Sequence, residues 1–340
     1  MNLTNSVELT APYLLFLGES PDPLDAKTGL GIAQWRRESC VAQFRLPGCR
    51  ADAGLPDMTP AEAAAAGAKS FIVGVAPIGG QIPPSWIEIL ETAARCGMDI
   101  VSGLHVKLTE LPTLVSVARQ SHVRLVDIRI PPTYLPVGTG VKRTGRRLLT
   151  VGTDCAVGKK YTALAIEREM SRRGWHADFR ATGQTGIMIA GVGIPIDAVV
   201  SDFVAGAAEV LSPDNDPMHW DVIEGQGAIL HPGYAAVSLG LLHGSQPDAF
   251  VVCHEIGRDV VGGWPQFPLP SIARVINLTV RLGALTNPAI RCVGISVNSA
   301  SMTSARRQAY RTRSQQMLGL PCVDPLIDGV AAIVDVIEAL

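Results

Sequence analysis

The sequence predicts an α/β protein built from two doubly wound parallel-sheet domains, on three observations. Strand-like and helix-like segments alternate regularly through both halves of the chain, the signature of parallel sheets covered on both faces. A polar segment rich in Pro, Gly and Arg, PPTYLPVGTGVKRTGRR, separates the halves and places a boundary near residue 138, with domains at 1–138 and 139–340. Finally, 340 residues are long for one hydrophobic core and suit about two.

In the first half, the apolar run 13–17 stops at Gly18, and a second strand at 40–46 is ended by Pro47-Gly48. Thr59-Pro60-Ala61-Glu62 places a capping threonine, a proline at the first helical position and a glutamate three residues on, and Gly67 closes that helix. Ser85-Trp86-Ile87-Glu88 repeats the device with Gly97 as its stop, and strands are expected at 71–75, 100–102 and 123–130. The second half continues with strands at 147–151, 177–182, 221–224, 249–253 and 290–297. Its best-marked helix runs over 159–173: Ala163, Ile166 and Met170 share a face, and Gly174 ends it.

Composition excludes several classes. Apolar residues make up 47% and charged ones 18%, which fits a packed globular chain. With a net charge of −2 and no basic stripe, nucleic acid is not an expected partner. The first twenty residues lack a basic n-region, so no signal peptide is expected. The stretches 70–87 and 225–247 carry no Asp, Glu, Lys or Arg, but Pro and Gly interrupt both, so they read as buried strands and loops rather than membrane spans. Seven scattered cysteines form no C-x-x-C pair, which points to reduced thiols and a cytoplasmic protein without a zinc site. The partners expected are small-molecule substrates, and a homo-oligomer is compatible with the composition.

The chemistry concentrates in GTDCAVGKK, residues 152–160. It lies between a strand and a helix, where Gly152, Thr153, Asp154, Cys155, Ala156, Val157, Gly158, Lys159 and Lys160 can form a phosphate cradle from loop N–H groups, a helix N-terminus and an ammonium. Two features depart from the common nucleotide-hydrolysing motif. Five residues rather than four separate Gly152 from Gly158, and Lys160 stands where a hydroxyl would hold Mg²⁺. Thr162 lies two residues further on, where helical rotation turns it away from that position. The Gly-Thr start and Val-Gly-Lys end resemble dethiobiotin synthetase and its relatives, so this domain is expected to be P-loop NTPase-like. Loss of the hydroxyl and gain of an ammonium weaken phosphoryl transfer and favour phosphate held without metal, as in a carrier such as coenzyme A. Cys155 could be an acylated nucleophile, but a small residue filling a tight loop is the preferred reading.

Polar groups follow the other strands of this half, at the sheet edge where ligands bind in doubly wound folds. Gln184 and Thr185 are expected to contact substrate amide and carboxylate groups. Glu224 would bind Mg²⁺ in a ligase or serve as general base in an acyl transferase, and the residues leave both roles open. His231 is a further candidate, His254 could take a proton from an amine, and Arg258 could grip a carboxylate in bidentate fashion. Asp197 and Asp202 read as helix caps rather than a substrate-amine site. In the first half, Lys27-Thr28-Gly29-Leu30-Gly31 could frame a ligand but does not make a dinucleotide fingerprint.

The blocks GTDCAVGK, ATGQTGIMIAGVGIPIDAVVSDFVAGAAE and EGQGAILHPGYAAVSLGLLHGSQPDAFVVCHE together resemble the family of D-glutamate N-acetyltransferases, with similarity over most of the chain. The resemblance implies a Rossmann-like N-terminal domain, acetyl-CoA as donor, an acidic D-amino acid as acceptor and a donor site at the phosphate loop. On that reading Glu224 or His254 is the base, loop N–H groups and Lys159 hold the CoA phosphates, Arg258 and Gln184 meet the acceptor, and no metal is required. The alternative is an ATP- and Mg²⁺-dependent ligase or kinase of the dethiobiotin synthetase type, and a CoA- or nucleotide-sensing module is a third.

Overall fold

The computed structural model describes residues 5–22, 25–76 and 80–340, so residues 77–79 of the uncharged stretch 70–87 and the first four residues of the N-terminal segment lie outside the described residues. It separates into two compact units, one comprising Ser6–Ile130 and Gln184–Pro195, the other centred on Pro131–Gly183 and Ile196–Leu340.

The first unit holds a five-stranded, wholly parallel sheet in the order Cys40–Arg45, Tyr13–Gly18, Ser70–Val73, Asp99–Ser102, Leu125–Asp127. This is the 2-1-3-4-5 order of a doubly wound, Rossmann-like domain. Tyr13–Gly18 and Ser70–Val73 are buried along their whole length, as parallel strands covered on both faces must be. Their core includes Phe16, which meets Trp86 edge-on with ring centroids 5.0 Å apart, together with Phe71, Leu90 and Ile100. Gly29 belongs to the helix Lys27–Trp35, where its N–H donates to the Gly74 carbonyl at 2.8 Å, so its service is close helix-to-strand packing. The capping box is present: Thr59 Oγ1 accepts from the Glu62 N–H, and the Thr59 N–H donates to Glu62 Oε2 at 2.8 Å. The second expected cap is corrected. The helix Pro84–Arg95 starts with Pro83 at the cap and Pro84 at its first position, whose fixed φ starts the helix ahead of Ser85. The last expected strand, 123–130, shrinks to Leu125–Asp127 at the sheet edge.

The second unit holds six parallel strands in the order Cys322–Val323, Arg291–Asn298, Ala249–Glu255, Arg146–Gly152, Trp220–Ile223, Ala177–Arg180. The edge strand Cys322–Val323 has only two residues and offers no periodicity to read. Arg146–Gly152 is central. From it the chain passes through the helix Lys159–Arg172 to Ala177–Arg180 and Trp220–Ile223 on one side, then crosses to Ala249–Glu255 on the other. The reversal makes the carboxyl end of Arg146–Gly152 the switch point, where doubly wound sheets bind ligands. One face is packed by Ala163, Ile166 and Met170 against Leu148, Val222 and Val251. Among the described residues, no helix is long and apolar enough to cross a membrane.

The segment after Ala177–Arg180 departs from expectation. Gln184 opens a helix, Gln184–Ala190, that joins the first unit: Thr185 Oγ1 lies 2.9 Å from Thr28 Oγ1, and Arg36 Nε donates to the Ile189 carbonyl at 2.8 Å. Asp197 and Asp202 are not caps but lie inside the short 3₁₀ turns Ile196–Ala198 and Ser201–Phe203.

Thr59→Ala should remove one side of the capping box and lower stability by about 1 kcal/mol, read as an earlier denaturant midpoint at unchanged slope. An unchanged midpoint would show that the short helix Pro60–Ala65 is held by packing alone.

Candidate functional site

The loop begins where the central strand ends, with the Thr153 N–H donating to the Cys253 carbonyl of the neighbouring strand at 3.0 Å. It ends at Gly158, which caps the helix Lys159–Arg172 with φ of +106°, a conformation costly for any residue with a Cβ. Lys159 is buried, its Nζ donates to the Asp154 carbonyl at 2.8 Å, and burial pushes its pKa down. Thr162 is spent in the core, donating to the Gly158 carbonyl at 3.0 Å and lying 2.7 Å from Ser296 Oγ. It supplies no hydroxyl to the loop.

Asp154 turns inward rather than toward a ligand. Its carboxylate is wholly buried and accepts from the Cys155 N–H at 2.6 Å, the Gly262 N–H at 2.8 Å and Arg258 Nη1 at 2.9 Å. Arg258 Nη1 also donates to the Cys155 carbonyl at 2.9 Å, and Nη2 pairs with Glu255. Gripping a substrate carboxylate would require Arg258 to exchange these bonds.

His231 stands behind Asp154, with Nε2 3.6 Å from Asp154 Oδ1. The Gly233 N–H donates to His231 Nδ1 at 3.0 Å, so Nε2 carries the ring hydrogen, and it has no hydrogen-bond partner. Tyr234 and Trp264 pack on the ring, and burial pushes its pKa down. Asp154, Cys155 and His231 bring ligand atoms within 4.8 Å of one another. The protonated Nε2 offers no lone pair to a cation there, and Arg258 beside Asp154 opposes one electrostatically.

The two candidate bases flank the central strand on opposite sides. Glu224 follows Ile223, which pairs with Leu149, whereas His254 follows Cys253, which pairs with Gly152. Glu224 Oε2 accepts from the N–H groups of Thr182 and Gly183, both at 3.0 Å. Burial pushes its carboxyl up to about 6, outweighing Lys160 and those two N–H groups, which favour the ionised form. Gly225 pins this carboxyl against the loop strand: its N–H donates to Thr150 Oγ1 at 2.9 Å, and a Cβ there would meet the Thr150 carbonyl oxygen at 1.6 Å. His254 is pushed down to about 4 by burial and Arg258; its Nδ1 lies 3.1 Å from Thr153 Oγ1 and its ring stacks on Tyr310. Of the pair, Glu224 is the stronger proton acceptor near neutrality.

The structure thus gathers residues 152–160, Glu224, His231, His254 and Arg258 in the second unit and assigns Gln184 and Thr185 to the first. Sequence reasoning missed Tyr310, Gly262 and Trp264. Only the Gly262-Gly263 pair left a local signal, and that signal marks a turn.

The model described as "Domain of unknown function (DUF1611_C) P-loop domain" matches residues 136–334, and that described as "Domain of unknown function (DUF1611_N) Rossmann-like domain" matches residues 44–131. A protein of Pseudoalteromonas sp named D-glutamate N-acetyltransferase is 48% identical over 328 residues, covering 96% of this chain and 99% of the relative. One of the same name from Tritonibacter scottomollicae is 47% identical over 332 residues, covering 98% and 100%. The crystal structure of a DUF1611 family protein from Anabaena variabilis superposes with a TM-score of 0.88 at 32% identity, covering 97% of this chain and all of that one.

The raised carboxyl of Glu224 has a stability consequence. A carboxyl whose folded pKa of about 6 exceeds its ordinary 4.5 favours the fold below 4.5, and that advantage is lost as pH rises through 6. Glu224→Gln keeps the acceptor oxygen and should therefore be more stable than the parent at pH 8 by about 2 kcal/mol, with the gain shrinking at pH 5. Denaturation curves showing the same difference at both pH values would contradict the raised pKa.

Proposed function

This chain belongs to the DUF1611 family, and on that premise we propose that it is a D-glutamate N-acetyltransferase, moving the acetyl group of acetyl-CoA to the amine of D-glutamate. The observation that carries the mechanism is a phosphate loop with an ammonium at Lys160, flanked by the buried carboxyl of Glu224 raised to about 6.

Loop N–H groups and the N-terminus of the helix Lys159–Arg172 suit the phosphates of CoA. Lys159 contributes a full charge once Nζ exchanges the Asp154 carbonyl for a phosphate oxygen. The acceptor arrives as an ammonium and must lose a proton before its nitrogen can attack. Glu224, ionised in its majority above pH 6, takes that proton. The C–N bond forms, the nitrogen releases its second proton to water, the tetrahedral oxyanion collapses, the C–S bond breaks, and the proton held on Glu224 is available to the departing thiolate. His254 is neutral at pH 7 and a poorer acceptor, so its bond with Thr153 positions the loop rather than moving the proton.

The donor is held without a metal ion. Lys160 replaces the magnesium hydroxyl, and the hydroxyl of Thr162, two residues further on, is used up in the core. This disfavours a ligase or kinase built on the same loop, whose chemistry needs Mg²⁺ beside the phosphates. The working compartment we propose is the cytoplasm, and the working partners are small molecules.

Thiol release from acetyl-CoA, scanned over D- and L-amino acids, tests the assignment: D-glutamate should give the fastest turnover, and silence across the panel would overturn it. Lys159→Ala should raise the KM for acetyl-CoA by about tenfold or more, the loss of one charge-assisted phosphate contact. Glu224→Gln should lower kcat by about 10²- to 10⁴-fold, and wild-type kcat/KM should rise with pH through about 6. A Glu224→Gln enzyme with full kcat would move the base elsewhere.

A further inference from the structure

The helix Ser304–Leu318 carries Arg306, Arg307, Arg311 and Arg313 and no acidic residue, in a chain whose net charge is −2, and none of its residues is fully buried. Arg311 pairs with Asp328 at 2.7 Å. Arg306, Arg307 and Arg313 form no ion pair among the described residues, and Arg307 reaches only the Ser304 hydroxyl at 3.5 Å. Packing does not explain this concentration of positive charge, so it invites an anion.

Its position says which one. The helix follows the strand Arg291–Asn298, which runs parallel to Ala249–Glu255 with Asn298 opposite Glu255, so it sets out from the same sheet edge as the phosphate loop. Tyr310 stacks on His254 with ring centroids 6.0 Å apart and planes 12° from parallel, and His254 Nδ1 is 3.1 Å from Thr153 Oγ1. This chain of contacts leads from the loop to the middle of the helix. Arg306 and Arg307 lie four and three residues before Tyr310, flanking it one turn nearer the sheet edge. Helical side chains tilt toward the N-terminus, which aims both guanidinium groups at that edge.

We propose that Arg306 and Arg307 form a second anion subsite, for the 3′-phosphate of coenzyme A, while the loop holds the diphosphate. The inference rests on the donor being acetyl-CoA. A terminal phosphate monoester offers three terminal oxygens to fork-shaped donors, the geometry arginine matches best. It hangs from the ribose beside the diphosphate, so two neighbouring anion subsites suit one ligand. The same patch draws a polyanion toward a chain that is otherwise slightly negative. Nucleotides lacking the 3′-phosphate would fill the loop and leave these arginines unused, which gives the protein a way to select CoA over ADP.

The test is calorimetric binding of CoA and 3′-dephospho-CoA to the full chain, run beside turnover with the corresponding acetyl thioesters. Wild type should prefer CoA by about tenfold or more, the size of a charge-assisted contact. In the Arg306→Ala/Arg307→Ala double variant that preference should fall to about twofold or less, because only the phosphorylated ligand loses a partner. Both positions lie on an exposed helix that alanine favours, so the fold is retained. Arg313→Ala, one turn beyond Tyr310, should keep the full preference. A wild type that binds both ligands equally, or a double variant that keeps its discrimination, overturns the subsite even if turnover is normal. Discrimination in binding with no acetyl transfer would leave the subsite standing and count against the acetyltransferase reading.

Discussion

The site depends on one buried charge. Asp154 sits inside the phosphate loop with no exposed surface, held by the N–H groups of Cys155 and Gly262 and by Arg258. A carboxylate taken out of water is tolerable only when it is paired and hydrogen-bonded, and removing one partner from such a pair costs about 3–5 kcal/mol. The loop is therefore tied to residues 258–262, which follow the neighbouring strand Ala249–Glu255, and is held at the sheet edge. The same lock decides what the neighbours can do. Arg258 is committed to the loop, and His231 faces Asp154 with its ring hydrogen, held there by Gly233 and by the rings of Tyr234 and Trp264.

Around that fixed loop the electrostatics are asymmetric. On one flank Glu224 is buried and raised to about 6 despite Lys160; on the other His254 is buried and lowered to about 4 beside Arg258. Burial moves both groups toward their neutral forms, which is a carboxylic acid in one case and a free imidazole in the other. Of the two, only the carboxyl titrates close to neutral pH, and the proposed division into proton acceptor and positioning group rests on that difference. Keeping Glu224 ionised costs stability, because its carboxylate is held away from water.

Much of this was legible in the sequence, for reasons that differ by element. Strands such as Tyr13–Gly18 and Ala249–Glu255 announced themselves because parallel strands buried on both faces are continuous apolar runs. The helices Pro60–Ala65 and Lys159–Arg172 carry caps and stops that act locally. The loop was readable because its chemistry depends on consecutive residues. What escaped was set by distant partners. Gln184 follows a strand of the second unit in sequence, yet tertiary packing beside Thr28 and Arg36 draws its helix into the first. Arg258 looked like a free carboxylate grip, and only the fold showed Asp154 in its fork. Tyr310 lies on a helix with no apolar stripe, so nothing in its own neighbourhood pointed to His254.

The proposed function turns on a phosphate loop that bears Lys160 in place of a magnesium hydroxyl and holds acetyl-CoA for transfer without a metal ion. The most direct measurement is the rate of thiol release from acetyl-CoA with D-glutamate by protein dialysed exhaustively against EDTA, before and after Mg²⁺ is returned. Full turnover is expected in the chelated protein, with no gain from Mg²⁺. Turnover that disappears with chelation and returns with Mg²⁺ would contradict it and restore the loop to metal-dependent phosphate chemistry.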